Sequence, residues 1–311
     1  MSVAEESIRS TRKPRNLRRT VAVGDLHGHL DGLKTILNEA KLIDGDSWRG
    51  GRSILVQLGD VVDRGPQSVP TYDYLADLQV RASKGKGEVV RLLGNHEVML
   101  LEGDFQFADF PNPEKMADRI REDVLAGRVL AAHAYGGWLF THAGAGFSLL
   151  QRLRNEMRSS EERTKRFTLK RLAAHLNQKL HVAVRNGDYS DPIFAVGEAR
   201  GGESATGGIF WADYDEELHA PSRAPRFHQV FGHTPEGYKG AKFRRATDGR
   251  RINIDIGIND DLGGNMGYLE IRNREAIAHY INKDGVVVES LGVAERLPKP
   301  VASPDPDRSA A

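Results

Sequence analysis

Cysteine is absent from the 311 residues. Disulfides, thiolate nucleophiles and thiolate-held zinc or iron–sulfur clusters are therefore excluded, and any metal must be bound through oxygen and nitrogen. An excess of charge of one sign is missing too. Lys and Arg number 44 against 43 Asp and Glu, a formal net charge of +1, so no global field recruits nucleic acid or an anionic membrane. No apolar run approaches the ~20 residues of a membrane helix. Met1 to Thr20 is polar and carries Glu5 and Glu6, unlike the apolar stretch of a secretory signal. These absences predict a cytoplasmic protein with no membrane association and with nucleic acid disfavoured as a partner.

What is present is ordinary globular composition. An apolar share of 39% with 28% charged residues is enough for one substantial core. Residues 1–19, with Arg12, Lys13, Arg15, Arg18 and Arg19, read as a disordered basic arm. Residues 294–311, with Pro298, Pro300, Pro304 and Pro306, read as a disordered proline-rich tail. Residues 20–293 between them are expected to form one catalytic domain.

Within that stretch an apolar run is repeatedly followed by a small residue and then a metal-type ligand. It occurs as Val21-Ala22-Val23-Gly24-Asp25, as Ile54 to Leu58 before Gly59-Asp60, and as Val89 to Leu93 before Gly94-Asn95. It returns as Trp138-Leu139-Phe140-Thr141-His142 and as Gln229-Val230-Phe231-Gly232-His233. Runs of this length and composition are buried strands, and glycine after a strand permits the close backbone approach a crowded site requires. Helical patterns separate the first three: His29 to Leu42, Ser68 to Val80 and a short one from Glu97. Strand, turn, helix, strand predicts an α/β sheet with its functional groups at one edge. Two insertions, about 103–130 and 148–225, are expected to form a helical cap. In the second, Leu149, Leu150, Leu153, Leu169, Leu172, Leu176 and Leu180 supply the apolar stripe of a charged helical region over 148–185. From Arg251 onward the pattern predicts strands of an antiparallel kind.

The ligands at these strand ends suit a pair of cations. Side chains two apart on an extended segment point the same way, so Asp25 and His27 can hold one ion together. Asp60 can bridge by giving one oxygen to each ion. Asn95 supplies a neutral amide oxygen, and His142 and His233 supply nitrogens. Two divalent ions about 3.5–4 Å apart lower the pKa of a shared water and clamp the oxygens of an in-line displacement at phosphorus, so no protein nucleophile is required. His96, beside Asn95, is the natural general acid for the leaving oxygen, and Asp63 its orienting partner. Arg64 offers a bidentate fork to two phosphate oxygens.

Gly-Asp-Leu-His-Gly (24–28), Gly-Asp-Val-Val-Asp-Arg-Gly (59–65) and Gly-Asn-His-Glu (94–97), followed by the two later histidines, resemble the signatures of the phosphoprotein phosphatase family of metallophosphoesterases. The resemblance spans roughly residues 20–290. It implies a calcineurin-like β-sandwich flanked by helices, and two divalent metal ions, manganese first with iron or zinc as alternatives. It also implies a first ion on Asp25, His27 and Asp60, and a second on Asp60, Asn95, His142 and His233. His96 matches the family's general acid, Asp63 its partner, and Arg64 a phosphate-binding arginine, with Asn95 a further phosphate contact. The fourth signature stands here as His142-Ala143-Gly144, which resembles the bacterial and Shewanella-like branches. The family's second phosphate arginine has no clear counterpart, and Arg200 is the candidate. No counterpart of the eukaryotic inhibitor-binding loop is evident, so regulatory subunits are not carried over. Asp255 reads either as support for a histidine ligand or as a structural residue.

The expected activity is a phosphomonoester hydrolase acting on phosphoserine, phosphothreonine or phosphotyrosine in proteins. Its rival is a hydrolase of dinucleoside polyphosphates, such as diadenosine tetraphosphate, or of another small phosphoester, built on the same metals. A non-catalytic scaffold would have lost a ligand or the acid, and every position is filled here.

Overall fold

Each apolar run becomes a short strand whose side chains alternate between two different cores. In the computed structural model, which describes residues 17–159, 166–220 and 227–293, the chain begins with β1 (Thr20–Val23) and α1 (Leu30–Glu39). A small hairpin, β2 (Ile43–Asp44) with β3 (Ser47–Trp48), leads to β4 (Ile54–Gln57), α2 (Ser68–Lys84), β5 (Glu88–Leu92) and α3 (Asn95–Glu102). Then come α4 (Pro113–Leu125), β6 (Val129–Leu130), β7 (His133–Tyr135), β8 (Trp138–Phe140), α5 (Phe147–Ser159) and α6 (Leu169–Asn186). The last part holds β9 (His228–Phe231), β10 (Arg244–Arg245), β11 (Arg251–Asn253), β12 (Met266–Arg272), β13 (Glu275–Asn282) and β14 (Gly285–Val293).

A seven-stranded sheet has the order β14-β13-β12-β1-β4-β5-β6, and a five-stranded sheet the order β10-β11-β9-β8-β7. The period of two assigns the faces. Ala22, Ile54, Val56, Val90 and Leu92 share one buried cluster with Phe140, Val230 and Ile252 of the other sheet. Val21, Val23, Leu55 and Val89 face the opposite way, into a cluster with Leu33 and Leu37 of α1, Leu75 and Leu78 of α2 and Ile120 of α4. This is the sandwich flanked by helices that the sequence predicts.

The described residues refine the reading in four places. The helical region 148–185 is two helices, α5 and α6, and residues 160–165 between them lie outside the described residues. Of its stripe, Leu172, Leu176 and Leu180 are fully buried on α6, each stabilising the packing by about 1.5–3 kcal/mol. The first insertion ends before β6, which pairs parallel with β5 and belongs to the main sheet. β11 is antiparallel to β10 as expected but parallel to β9 on its other edge, because the chain crosses over between β9 and β11; β12, β13 and β14 are antiparallel as expected. The α2 helix runs on to Lys84, beyond Val80, and stops at Gly85. The predicted arm up to residue 16 and the tail from 294 lie outside the described residues. No helix among the described residues is long and apolar enough to cross a membrane.

Candidate metal centre

β1, β4 and β5 run parallel in one sheet and β8 and β9 parallel in the other, so Asp25, Asp60, Asn95, His142 and His233 all follow the carboxyl ends of their strands. The turns there are tight. His27, Asp60, Asp63, Arg64 and His233 have φ of 43°, 52°, 69°, 66° and 73°, a left-handed conformation that stores about 1–3 kcal/mol per residue at functional sites. A Cβ on Gly94 would collide with the carboxylate of Asp60, and one on Gly232 with that of Asp25. His27 thus reaches its place through a turn held by Leu26 and His27 N–H groups donating to the Asp60 carbonyl. The extended segment expected for Asp25 and His27 is replaced by this turn, because Gly28 and His27 both take positive φ.

Asp60 lies at the middle, 2% exposed. Its Oδ2 is 3.6 Å from His27 Nε2 and its Oδ1 is 3.6 Å from His142 Nε2. His142 Nδ1 lies 2.9 Å from the Leu58 carbonyl and His27 Nδ1 lies 3.2 Å from the Val62 carbonyl. A carbonyl only accepts, so each ring carries its proton on Nδ1 and aims the Nε2 lone pair at Asp60. Asn95 Oδ1, His142 Nε2 and His233 Nδ1 lie 2.8–3.2 Å from one another. At most one proton, on His233 Nδ1, can serve that group, whereas one cation satisfies all of its members. Burial drives the imidazoles toward neutrality: His27 is lowered to about 3, and His142 and His233 are lowered too, the latter also by His142 and Arg200. Neutral rings offer the lone pairs a divalent ion requires. The residues therefore fit metal ions, through oxygen and nitrogen donors only.

The sets of ligand atoms within 4.8 Å of one another are His27, Asp60 and His96, and Asp60, His142 and His233. Asp25 stands in neither set. Both its oxygens accept from the His233 backbone N–H at 3.2 Å, and it shares a hydrogen bond with Asp255. Burial, then the charges of Asp255 and Asp60, raise its pKa well above the usual carboxylate range. Asp255 therefore supports Asp25, not a histidine ring.

His96 turns Nδ1 to Asp63 Oδ2 at 2.8 Å, and both side chains are 2% exposed. Burial lowers the pKa of His96, but the Asp60 charge and the Asp63 hydrogen bond outweigh it and hold the ring above its ordinary value. Arg64 is exposed nearby, with its guanidinium 5.4 Å from the Phe107 ring. Arg200 also reaches the centre. Its Nη2 donates to Thr234 Oγ1 at 2.6 Å and pairs with Asp213 Oδ2 at 2.9 Å, and its Nε has no protein partner among the described residues.

Several residues in this neighbourhood had no role in the sequence reading. Glu97 is fully enclosed and accepts backbone N–H bonds from Gly94, Asp60, Val61 and Val62 at 2.8–3.2 Å, tying two ligand loops together. Burial and the Asp60 charge raise its pKa to about 7. Its place three residues after Gly94, where an acidic side chain caps a helix start, was the available signal. Phe107 packs 5.3 Å from the His96 ring, and Trp211 edges His233 at 5.7 Å. Neither carries a local sequence signal.

The chain matches the model of the calcineurin-like phosphoesterase family over residues 18–243. Shewanella-like protein phosphatase 2 of Arabidopsis thaliana is 42% identical over 90 residues, 29% of this chain and 23% of that protein. The symmetrical bis(5'-nucleosyl)-tetraphosphatase of Pseudomonas fluorescens is 38% identical over 82 residues, 26% of this chain and 24% of that protein. The matched stretches thus span less than a quarter of either relative. The cold-active protein-tyrosine phosphatase of a psychrophilic Shewanella species superposes with a TM-score of 0.62 at 21% identity, covering 89% of this chain and 81% of that one, which shows a common fold. A match of this extent, over a sandwich whose strand ends gather imidazole, amide and carboxylate donors, means that the chain belongs to the calcineurin-like phosphoesterases, a family of phosphoric ester hydrolases, and within it resembles the Shewanella-like phosphatases.

Proposed function

We propose that the chain is a dinuclear-metal phosphomonoester hydrolase acting on phosphorylated protein side chains, with residues 20–293 as its catalytic domain and the insertions over about 103–130 and 148–225 as a cap. Asp25, His27 and Asp60 would hold one divalent ion, and Asp60, Asn95, His142 and His233 the other, with manganese the first candidate and iron or zinc the alternatives. When bound, such a pair activates water and screens the phosphate charge. The chain's own groups supply the rest. Arg64 and Arg200 orient the phosphate with guanidinium forks, and Asn95 adds an amide contact. Asp63 fixes the His96 ring through Nδ1, which leaves Nε2 to give a proton to the leaving oxygen as the P–O bond breaks. The observation that carries this reading is the 2.8 Å His96–Asp63 pair set beside converging acceptors that lack a cation's worth of donors. A cytoplasmic setting goes with it and is tested by cell fractionation.

Local similarity to a symmetrical bis(5'-nucleosyl)-tetraphosphatase supports a second reading, hydrolysis of a dinucleoside polyphosphate. Turnover of phosphoserine, phosphothreonine and phosphotyrosine peptides by the purified, manganese-loaded protein, against diadenosine tetraphosphate, separates the two. Faster cleavage of a peptide is expected. Faster cleavage of the dinucleotide overturns the first reading.

A further inference from the structure

The loop between α3 and α4 carries three phenylalanines in six residues, Phe105, Phe107 and Phe110. Two of them behave as loop aromatics usually do: Phe105 and Phe110, with Ala108, pack against the main core. Phe107 does not. It is 42% exposed, and its neighbours are the His96 ring at 5.3 Å and the Arg64 guanidinium at 5.4 Å. The loop is also stiffened around it, because Asp104 accepts from both the backbone and the side chain of Gln106 and Ala108 N–H donates to the Phe105 carbonyl. An aromatic ring is thus held partly in solvent against two residues of the centre when the core lies within reach of its neighbours.

From this we infer that Phe107 is a platform for an aromatic leaving group, which makes the enzyme selective for aryl phosphoesters, phosphotyrosine above all. The inference rests on the proposed roles of His96 and Arg64 and deepens that reading. The leaving oxygen lies at the acid, so whatever is bonded to that oxygen lies beside Phe107. In phosphotyrosine the aromatic ring is bonded directly to the ester oxygen. In phosphoserine that place is taken by a methylene, too small to cover the Phe107 face. In a nucleotide the base is separated from the scissile phosphorus by ribose and further phosphate, so its ring falls outside the reach of a residue packed on His96. Offset or edge contact between rings at such distances favours the aryl ester. The Arg64 guanidinium lies over the same ring, so the phosphate and the ring of an aryl ester meet neighbouring groups.

The test compares wild type with Phe107→Ala and Phe107→Leu in the manganese-loaded full chain. One arm titrates phenylphosphonate, methylphosphonate and inorganic phosphate by calorimetry, which needs no turnover. The other measures kcat and KM for one peptide sequence carrying either phosphotyrosine or phosphoserine, with diadenosine tetraphosphate alongside. Phe107→Ala is expected to weaken phenylphosphonate and raise KM for the phosphotyrosine peptide by about five- to tenfold. Affinity for methylphosphonate and phosphate, and turnover of the phosphoserine peptide, should stay within about twofold, and Phe107→Leu should recover only part of the loss. An equal loss of phosphate affinity would mean that Phe107 merely holds Arg64, and an unchanged phenylphosphonate affinity would mean that it does nothing for the ring; either overturns the inference. A larger loss on the dinucleotide than on phosphotyrosine would overturn it as well. Wild type that turns over neither peptide counts against the phosphatase reading instead, since phenylphosphonate affinity decides the platform by itself.

Discussion

β5 leads into one buried polar cluster and carries another, and the two are built on opposite rules. Arg91, within the strand, is 2% exposed and pairs with Asp123 of α4 at 2.7 Å. Asp123 also accepts from the Tyr72 hydroxyl at 2.8 Å and from Arg128 at 2.6 Å, while the Arg91 guanidinium lies 5.1 Å from the Tyr72 ring. Every oxygen of that carboxylate meets a donor. Just past the end of the same strand, Asn95 Oδ1 faces His142 Nε2, and Asp60 faces that same nitrogen and His27 Nε2. Burial of charge is common to both clusters and discriminates nothing. The balance of donors and acceptors does: around Arg91 the donors are in excess, with Nε and Nη1 left over while the Asp123 carboxylate is fully met and holds α4 to the sheet, whereas around Asp60 lone pairs face one another and cations would complete them.

The comparison is broken most directly at Asp60. Asp60→Asn should lower turnover of p-nitrophenyl phosphate by about a thousandfold, equivalent to about 4 kcal/mol at 1.36 kcal/mol per tenfold. Near-wild-type turnover would remove Asp60 from its bridging place. Asp123→Asn should do the reverse, leaving kcat within about twofold while lowering stability to urea by about 3 kcal/mol. Burial raises the pKa of Asp123, but Arg91 and the hydrogen bonds outweigh it and depress the value. Its contribution is therefore full above the unfolded carboxylate pKa and is lost as pH falls through the depressed folded value. Wild type and variant should converge in stability in strong acid, and a gap that ignores pH would argue against the ion pair.

Smaller effects sharpen the same contrast. His96→Asn is expected to slow alkyl phosphoesters by about a hundredfold and aryl esters less, because only the poorer leaving group depends on protonation. Equal losses on both substrate types would displace His96 from the acid role. Arg200→Lys should raise KM by about tenfold with kcat little changed, since an ammonium cannot replace a bidentate fork. If KM is unmoved, Arg200 serves only its pair with Asp213.

The strand ends were legible because each apolar run is closed by a small residue and a ligand, a local signal that survives without knowledge of the partner strand. That is why His142 and His233, 91 residues apart, could be assigned to one centre and now lie 3.2 Å from each other. The geometry within each turn was less legible. Asp25 and His27 look like an extended pair, but their place is dictated by hydrogen bonds to the Asp60 loop and by Asp255, both distant in sequence. The antiparallel character expected of β11 holds toward β10 but not toward β9, whose direction the residues of β11 do not encode. Phe107 was invisible for a related reason: beside Phe105 and Phe110 it is one loop aromatic among three, and only the packing separates it from the other two.

The central claim is that the facing acceptors around Asp60 exist to enclose a pair of cations. Metal analysis by mass spectrometry of the chain, loaded with manganese and then desalted, tests it without reference to any substrate. The account predicts close to two ions per chain, falling to one or fewer in His142→Ala. A wild-type chain that retains none, or a His142→Ala chain that retains as many as wild type, would contradict it.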